Sequence, residues 1–452
     1  MKAVQQAMFD AVEAKKQTVL DAERYIWKHP EAGYKEWKTH AYLKEQYEAL
    51  GYTVTEFGNI PGFYTDVETG RPGPKVAVFG EMDSLIIPSH PEADPETGCV
   101  HACGHNCQCA GLLGVAIALK GKGALDELCG SIRLIAVPAE EYIDEDFREE
   151  LRRQGIIKYL GGKVELIYRG ILDGVDMAMM VHASTSKLYS LASKDGTNGC
   201  IVKKATFIGK SAHAGGAPSS GKNALYAAQT AMSVANTLRE TFKDDDHIRF
   251  HPIITAGGSV VNAIPDRVVV ESYIRGATMD AIFKTNEKIN RAFAAAAASM
   301  GCRVILEDQN GYAPRYNDPN LTEAFHQAGL MFFPESEILI GGWGTGCSDM
   351  GDVSTLIPAA HPDISGAVGS CHGTDFLVTN PEKATVTSAK IQAIVLATLL
   401  RDGAAYAKKV IANKKVVYNS KEEYLAAVDA LNHTYDAVQY RDNGDVVLHF
   451  KD

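Results

Sequence analysis

Six residues, His101-Ala102-Cys103-Gly104-His105-Asn106, set one thiol and two imidazoles in a single turn, a donor set suited to holding a metal ion. Two adjacent carboxylates follow the apolar run 131–137, in Pro138-Ala139-Glu140-Glu141. Further imidazoles stand at His182, after the apolar run Val175–Val181, and at His372, in Gly369-Ser370-Cys371-His372-Gly373-Thr374. A hydrolytic metal centre needs several ligands, an open position for water and a nearby carboxylate to take that water's proton. Cys103, His105, Glu140, Glu141, His182 and His372 supply such a set, and neighbouring carboxylates can divide the labour, one binding metal and the other acting as base. Taken singly, each has a plain explanation: an inert core thiol, a satisfied strand-end histidine, a solvated acidic pair. Their joint placement at strand ends or in adjacent loops argues for chemistry, with His101 as a supporting partner.

Such residues need elements that bring them together. The runs 75–80, 131–137 and 176–182 read as buried strands separated by amphipathic stretches, which predicts an α/β fold with a doubly wound, mainly parallel sheet. Ligands at strand ends are where such sheets place their sites. Segment 198–306 has another order: strand 200–208, helix 223–240, strands 250–256 and 266–275, helix 279–300, strand 302–306. That β-α-β-β-α-β series predicts a ferredoxin-like unit inserted in the first domain, so that 1–197 and 307–452 form one discontinuous domain and 198–306 another. Helices are expected at 321–332 and 383–401, while the polar insertion 142–170 and the last 50 residues have no evident role.

Composition narrows the function classes. With 452 residues and 46% hydrophobic content the chain can bury two cores. A net charge of -11 and the lack of a long basic run predict neither a nucleic-acid nor a membrane partner, and favour small soluble substrates. The charged N-terminal stretch lacks a signal-peptide core, and no run is expected to cross a membrane. Nine unevenly spaced cysteines make no disulfide framework, which points to a reducing, cytoplasmic location.

The ordered series His29-Pro30-Glu31, Gly80-Glu81-Met82-Asp83-Ser84-Leu85, the Cys103 turn, Pro138 to Glu141, Ser211-Ala212-His213-Ala214, Gly257 to Pro265 and Ser348 to Asp352 resembles the metallopeptidase family of the aminoacylases and bacterial dipeptidases. Within it, the chain is similar to the amidohydrolase branch that includes aminobenzoyl-glutamate hydrolases and β-alanyl-dipeptide hydrolases. The resemblance implies two divalent metal ions per subunit, zinc or manganese. Cys103 would bridge them, with His105, Glu141, His182 and His372 as the other ligands. Glu140 would be the general base, and Asp83 would orient a ligand. It also implies a homodimer through the inserted domain, acting as a lid whose His213 stabilises the oxyanion in the partner subunit's site. Arg275, a planar fork for a substrate carboxylate, would have Asn262 as its neighbour. Many members of the branch have Asp where this chain has Asn106, a departure shared with aminobenzoyl-glutamate-type sequences. Cys107 and Cys109 find no place in the pattern.

These observations favour hydrolysis of an amide bond in an N-acyl amino acid, an aminobenzoyl-glutamate-like compound or a dipeptide with a free carboxylate. Two competitors stand beside it. One is a Cys/His metal-cluster redox module built on Cys99, Cys103, Cys107 and Cys109; the other is a non-catalytic binding protein of the same fold. The glycine-rich Gly341 to Gly346 lacks the Lys-Ser/Thr ending of a phosphate loop and reads as a pocket wall.

Overall fold

Runs of apolar residues without alternation suit strands covered on both faces, and the two central strands behave so. Ser131–Val137 is buried at all seven positions and Lys75–Glu81 at all but its first. The computed structural model, which describes residues 1–450, pairs them in parallel and continues in parallel through Met177–Met179 to Ala359–Ala360. On the far side of Ser131–Val137 the strand Phe63–Glu68 runs antiparallel, followed by the short Thr55–Glu56.

One expected strand is divided. The run 176–182 does not end as a single strand at His182. Met177–Met179 stays in the large sheet, and His182–Ser184 begins a strand of a second sheet, parallel to Asp363–Ser365. Backbone bonds mark the handover, from Met180 to the Ala360 carbonyl and from His182 to that of Pro362. The break falls at Met180 and Val181, inside the continuous apolar stretch Met177–Val181, so hydrophobicity alone could not show it.

Helix His105–Leu119 is buried at every position and packs against Lys75–Glu81, which places its first residue beside that strand's end. Gly104 caps it at φ 92°, and a Cβ there would stand 2.9 Å from the Cβ of Ala183. Only glycine allows both the left-handed turn and that approach. One segment, Glu382–Ala412, does reach membrane-crossing length and hydropathy, contrary to expectation. Its most apolar window is 83% buried within the protein, as a core helix would be. A π-type turn opens it at Glu382–Thr387, and positive φ at Asp402, Gly403 and Ala404 breaks the helix just after the expected end at 401.

The chain divides into two units, and the second is larger than 198–306. It takes Thr197–Arg315, Gly344–Gly351 and the chain from Glu422 onward. The boundary drawn at 306 falls inside the strand Arg303–Tyr312, and the C-terminal strand His433–Asp436 pairs with that strand. Within this unit the antiparallel order is Arg249–Phe250, Arg267–Gly276, Gly199–Ile208, Arg303–Tyr312, His433–Asp436, with Ile253–Ala256 also on Arg267–Gly276. Helices Ala224–Thr237 and Met279–Ser299 pack together and on this sheet, with alanine lining much of their buried faces. A buried network joins Lys203, Asn290, Asn286, Asp308 and His433 across the sheet and anchors the edge strand His433–Asp436.

Candidate metal centre

The end of Lys75–Glu81, the turn before His105 and the turn after Ser131–Val137 meet in the first unit. Asp83 links the three. Its backbone carbonyl and Oδ1 accept from His105 Nδ1 at 3.0 and 3.1 Å, and its Oδ2 accepts from the Glu141 amide at 2.8 Å. His105 therefore turns Nε2 inward, where it lies 3.2 Å from Glu81 Oε2 without a hydrogen bond. His182 is held in the same manner, Nδ1 against the Ala183 carbonyl at 2.6 Å and Nε2 facing Cys103 Sγ at 3.4 Å. An imidazole tied through one nitrogen presents the other as a ligand, the arrangement found around metal-binding histidines.

Three overlapping groups of donors result, each with its ligand atoms within 4.8 Å of one another: Cys103, His105 and His182; Cys103, Cys371 and His372; and Glu81, His105 and Glu140. Glu141 joins through its Oε1, 3.2 Å from His372 Nε2. The structure thus brings Cys103, His105, Glu140, Glu141, His182, His372 and Asp83 into one site. It adds Glu81 and Cys371, which stood in the quoted motifs without a role. Cys99, Cys107 and Cys109 belong to none of these groups among the described residues, which removes the basis of the cluster reading. Burial pushes the Cys107 and Cys109 thiols up, and Cys109 donates to the Glu81 carbonyl, so both are neutral core thiols.

Electrostatics within the cluster follow from its surplus of carboxylates. Burial opposes protonation of His105, yet Glu81 and Asp83 raise it well above the usual imidazole range. Burial likewise opposes charge on Glu141, but His372 outweighs it and holds the carboxyl at about 2. His372 is raised to about 10 by Cys371 and Glu141. His101 contrasts with these: buried, with no hydrogen bond at either nitrogen, it is lowered to about 3 by burial and by His105. The supporting bond expected of it is not made.

The insertion 142–170 has a structural purpose. Its helix Gly162–Tyr168 sends fully buried Lys163 to Glu81 Oε1, while Gln108 Nε2 donates to Oε2 at 2.8 Å. Arg148, also fully buried, donates to the carbonyls of Glu141 and Leu160. A Cβ at Gly162 would lie 1.7 Å from the Pro138 carbonyl, so this helix can close on the Glu140-Glu141 turn only with glycine there. The same turn carries Ala139 at φ 56°, its amide held by Glu36 Oε1 at 2.7 Å. Asn106 is explained as well. Its Nδ2 donates to buried Glu23 at 2.7 Å, where Asp would set two carboxylates in contact.

In the second unit His213 is exposed and its Nδ1 accepts from the amides of Gly215 and Gly216 at 3.1 and 2.9 Å. Asn262 lies beside it: the Ala214 amide donates to the Asn262 carbonyl at 2.9 Å, and His213 bridges Ala263. Arg275 is not their neighbour. It ends the strand Arg267–Gly276, roughly 25 Å of rise from that strand's start, because a strand advances about 3.4 Å per residue. There it sits opposite Cys200, donates to Cys347 Sγ at 3.4 Å and lies over the Tyr273 ring.

A buried thiol, imidazole and carboxylate cluster at the ends of parallel strands defines an α/β metallohydrolase. The chain belongs to peptidase family M20/M25/M40, whose model matches residues 77–402. It is 30% identical over 362 residues to a mouse (Mus musculus) Xaa-Arg dipeptidase, covering 75% of this chain and 74% of that protein. It is 26% identical over 346 residues to a p-aminobenzoyl-glutamate hydrolase chain of Escherichia coli, covering 73% and 65%. Among solved structures, a dinuclear metal binding peptidase from the M20 family of Bacillus subtilis shares the fold, with a TM-score of 0.66 and 20% identity over 86% of this chain and 99% of that one. The protein is a hydrolase of amide or peptide bonds.

Proposed function

We propose that the cluster holds two divalent ions, zinc or manganese, and that the chain hydrolyses the amide bond of a small substrate bearing a free carboxylate: a dipeptide, an N-acyl amino acid or an aminobenzoyl-glutamate-like compound. The observation that carries this is the convergence of Cys103, His105 and His182 ligand atoms within 4.8 Å, beside the paired Glu140 and Glu141. The donors suit such ions, since a thiolate, imidazoles with fixed inward nitrogens and carboxylates are borderline ligands in number. Ions bound there would polarise the amide carbonyl and acidify water.

The chain's own groups supply the rest. Glu140 takes a proton from water on its carboxylate and returns it to the leaving amine nitrogen. Asp83 fixes His105, and Glu141, His182, His372 and Cys103 act as ligands. His213 accepts two amides at Nδ1, which leaves Nε2 as the nitrogen to donate to a developing oxyanion. Arg275 grips the substrate carboxylate. Because Arg275 stands at one end of the strand Arg267–Gly276 and the His213/Asn262 pair in loops near its other end, a single inserted domain does not bring both to one small molecule. A second copy would supply one of them. This favours a homodimer through the ferredoxin-like unit, a lid domain whose edge strand Ile253–Ala256 is exposed throughout. The doubly wound first domain, a cytoplasmic location and the lack of nucleic-acid or membrane partners complete the reading.

Glu140→Gln tests it on a panel of Xaa-Arg dipeptides, N-acetyl amino acids and p-aminobenzoyl-glutamate. The expected result is metal retained by elemental analysis and turnover reduced about 10²–10⁴-fold. Full activity would remove Glu140 as base, and lost metal would make it a ligand instead.

A further inference from the structure

Cys371 stands outside the ligand set above, yet its Sγ lies 3.9 Å from that of Cys103, and the donor atoms of Cys103, Cys371 and His372 fall within 4.8 Å of one another. The loop that carries it is built, not loose. His372 takes φ 63°, a conformation that favours glycine, and its amide donates to the Ala102 carbonyl at 2.9 Å. The Ser370 amide is held by Asp375 Oδ1 at 3.0 Å, and the Gly373 amide by the Ser370 carbonyl at 2.8 Å. A left-handed residue locked by these bonds brings two consecutive donor side chains, Cys371 and His372, to the Cys103 turn.

The three donor groups share members in a telling order. Cys103 belongs to one group with Cys371 and His372 and to another with His105 and His182, while His105 extends to Glu81 and Glu140. The two thiols therefore lie at one end of the cluster, with His372 and its neighbour Glu141, and the carboxylates Glu81 and Glu140 at the other. We propose that Cys371 is a further metal ligand, so that one of the two positions gains a second thiolate beside Cys103, His372 and Glu141 and the centre takes zinc in preference to manganese. Thiolates select zinc, whereas manganese favours oxygen donors. The proposal rests on the metal-centre reading given above, and it deepens that reading by choosing the metal.

Cobalt(II) replaces zinc in such sites and reports sulfur ligation as near-ultraviolet charge-transfer absorption. Wild type and Cys371→Ser are loaded with cobalt alone, and zinc and manganese affinities of both are measured by chelator competition. Cys371 is exposed, so the variant leaves the core intact. With Cys103 bridging, Cys371→Ser is expected to remove about a third of the band, one of three cobalt–sulfur bonds, and to lower zinc affinity about 10-fold or more while changing manganese affinity less. Cys371→Asp, which substitutes an oxygen donor, should move selectivity towards manganese. An unchanged band with an unchanged zinc-to-manganese ratio would overturn the ligand role of Cys371 and leave the metal centre standing. Wild-type protein that binds neither cobalt nor zinc would overturn the metal centre itself.

Discussion

His105 and His213 both lie in glycine-bearing turns, yet their surroundings are opposite. His105 is 1% exposed, with one nitrogen tied to Asp83 and the other among carboxylates. His213 is exposed, and its ring is held by two backbone amides of its own loop. The first turn is complete within its unit: every bond that orients its ring comes from the same packed core. The second is preorganised in tautomer but has no partner for its outward nitrogen among the described contacts. Orientation by burial and orientation by local backbone bonds are thus carried by separate units.

Removing the brace under the first turn should have the largest effect on stability. Lys163→Met leaves Glu81 buried without its lysine partner, which should cost about 3–5 kcal/mol in denaturant unfolding and weaken metal retention. Adding Glu81→Gln in the same chain should recover much of that loss. A near-neutral Lys163→Met would mean that the insertion does not hold the metal site in place.

For the exposed turn the expected signature is kinetic. His213→Ala should lower kcat about 10²–10³-fold, with folding stability and metal content unchanged. Mixing this variant with Glu140→Gln sharpens the comparison, because in the proposed dimer a mixed pair would contain one site with an intact Glu140 and a His213 from the other chain. Regained activity on mixing places His213 across the dimer interface; none would confine it to its own chain.

A smaller effect separates the units by pH. Burial alone would raise the Asp308 carboxyl, but Lys203, His433 and Asn286 hold it at about 2, below its ordinary value of 3.8. A depressed carboxylate stabilises the fold fully above its unfolded pKa, and that contribution fades as pH falls towards the folded value. The second unit should therefore lose about 2 kcal/mol between roughly pH 5 and 2, and Asp308→Asn should flatten that slope in urea titrations.

Much of the first unit was legible because its central strands are buried on both faces and leave unbroken apolar runs. Ser131–Val137 falls where expected, and Cys103, His105, Glu140 and Glu141 sit in turns that immediately follow or precede such runs. The break before His182 was not legible, since it falls at Met180 and Val181, inside an uninterrupted apolar run. Arg148 and Lys163 were read as part of a polar insertion, though both are fully buried. Their charges are hidden by partners distant in sequence: Lys163 and Glu81 are 82 positions apart. The pairing of Arg275 with Asn262 failed for a similar reason, since a strand places the two ends of one segment far apart.

By itself the sequence determined the donor types, their local turns and the strands that carry them, because side-chain chemistry and apolar periodicity are properties of short segments. Only the tertiary structure decided which charges are buried, which thiol stands beside Cys103 and which unit claims the C-terminal strand. Those outcomes depend on distances through space. Burial makes them matter, since a charge or thiol taken out of water must be matched by whatever residue the fold brings against it.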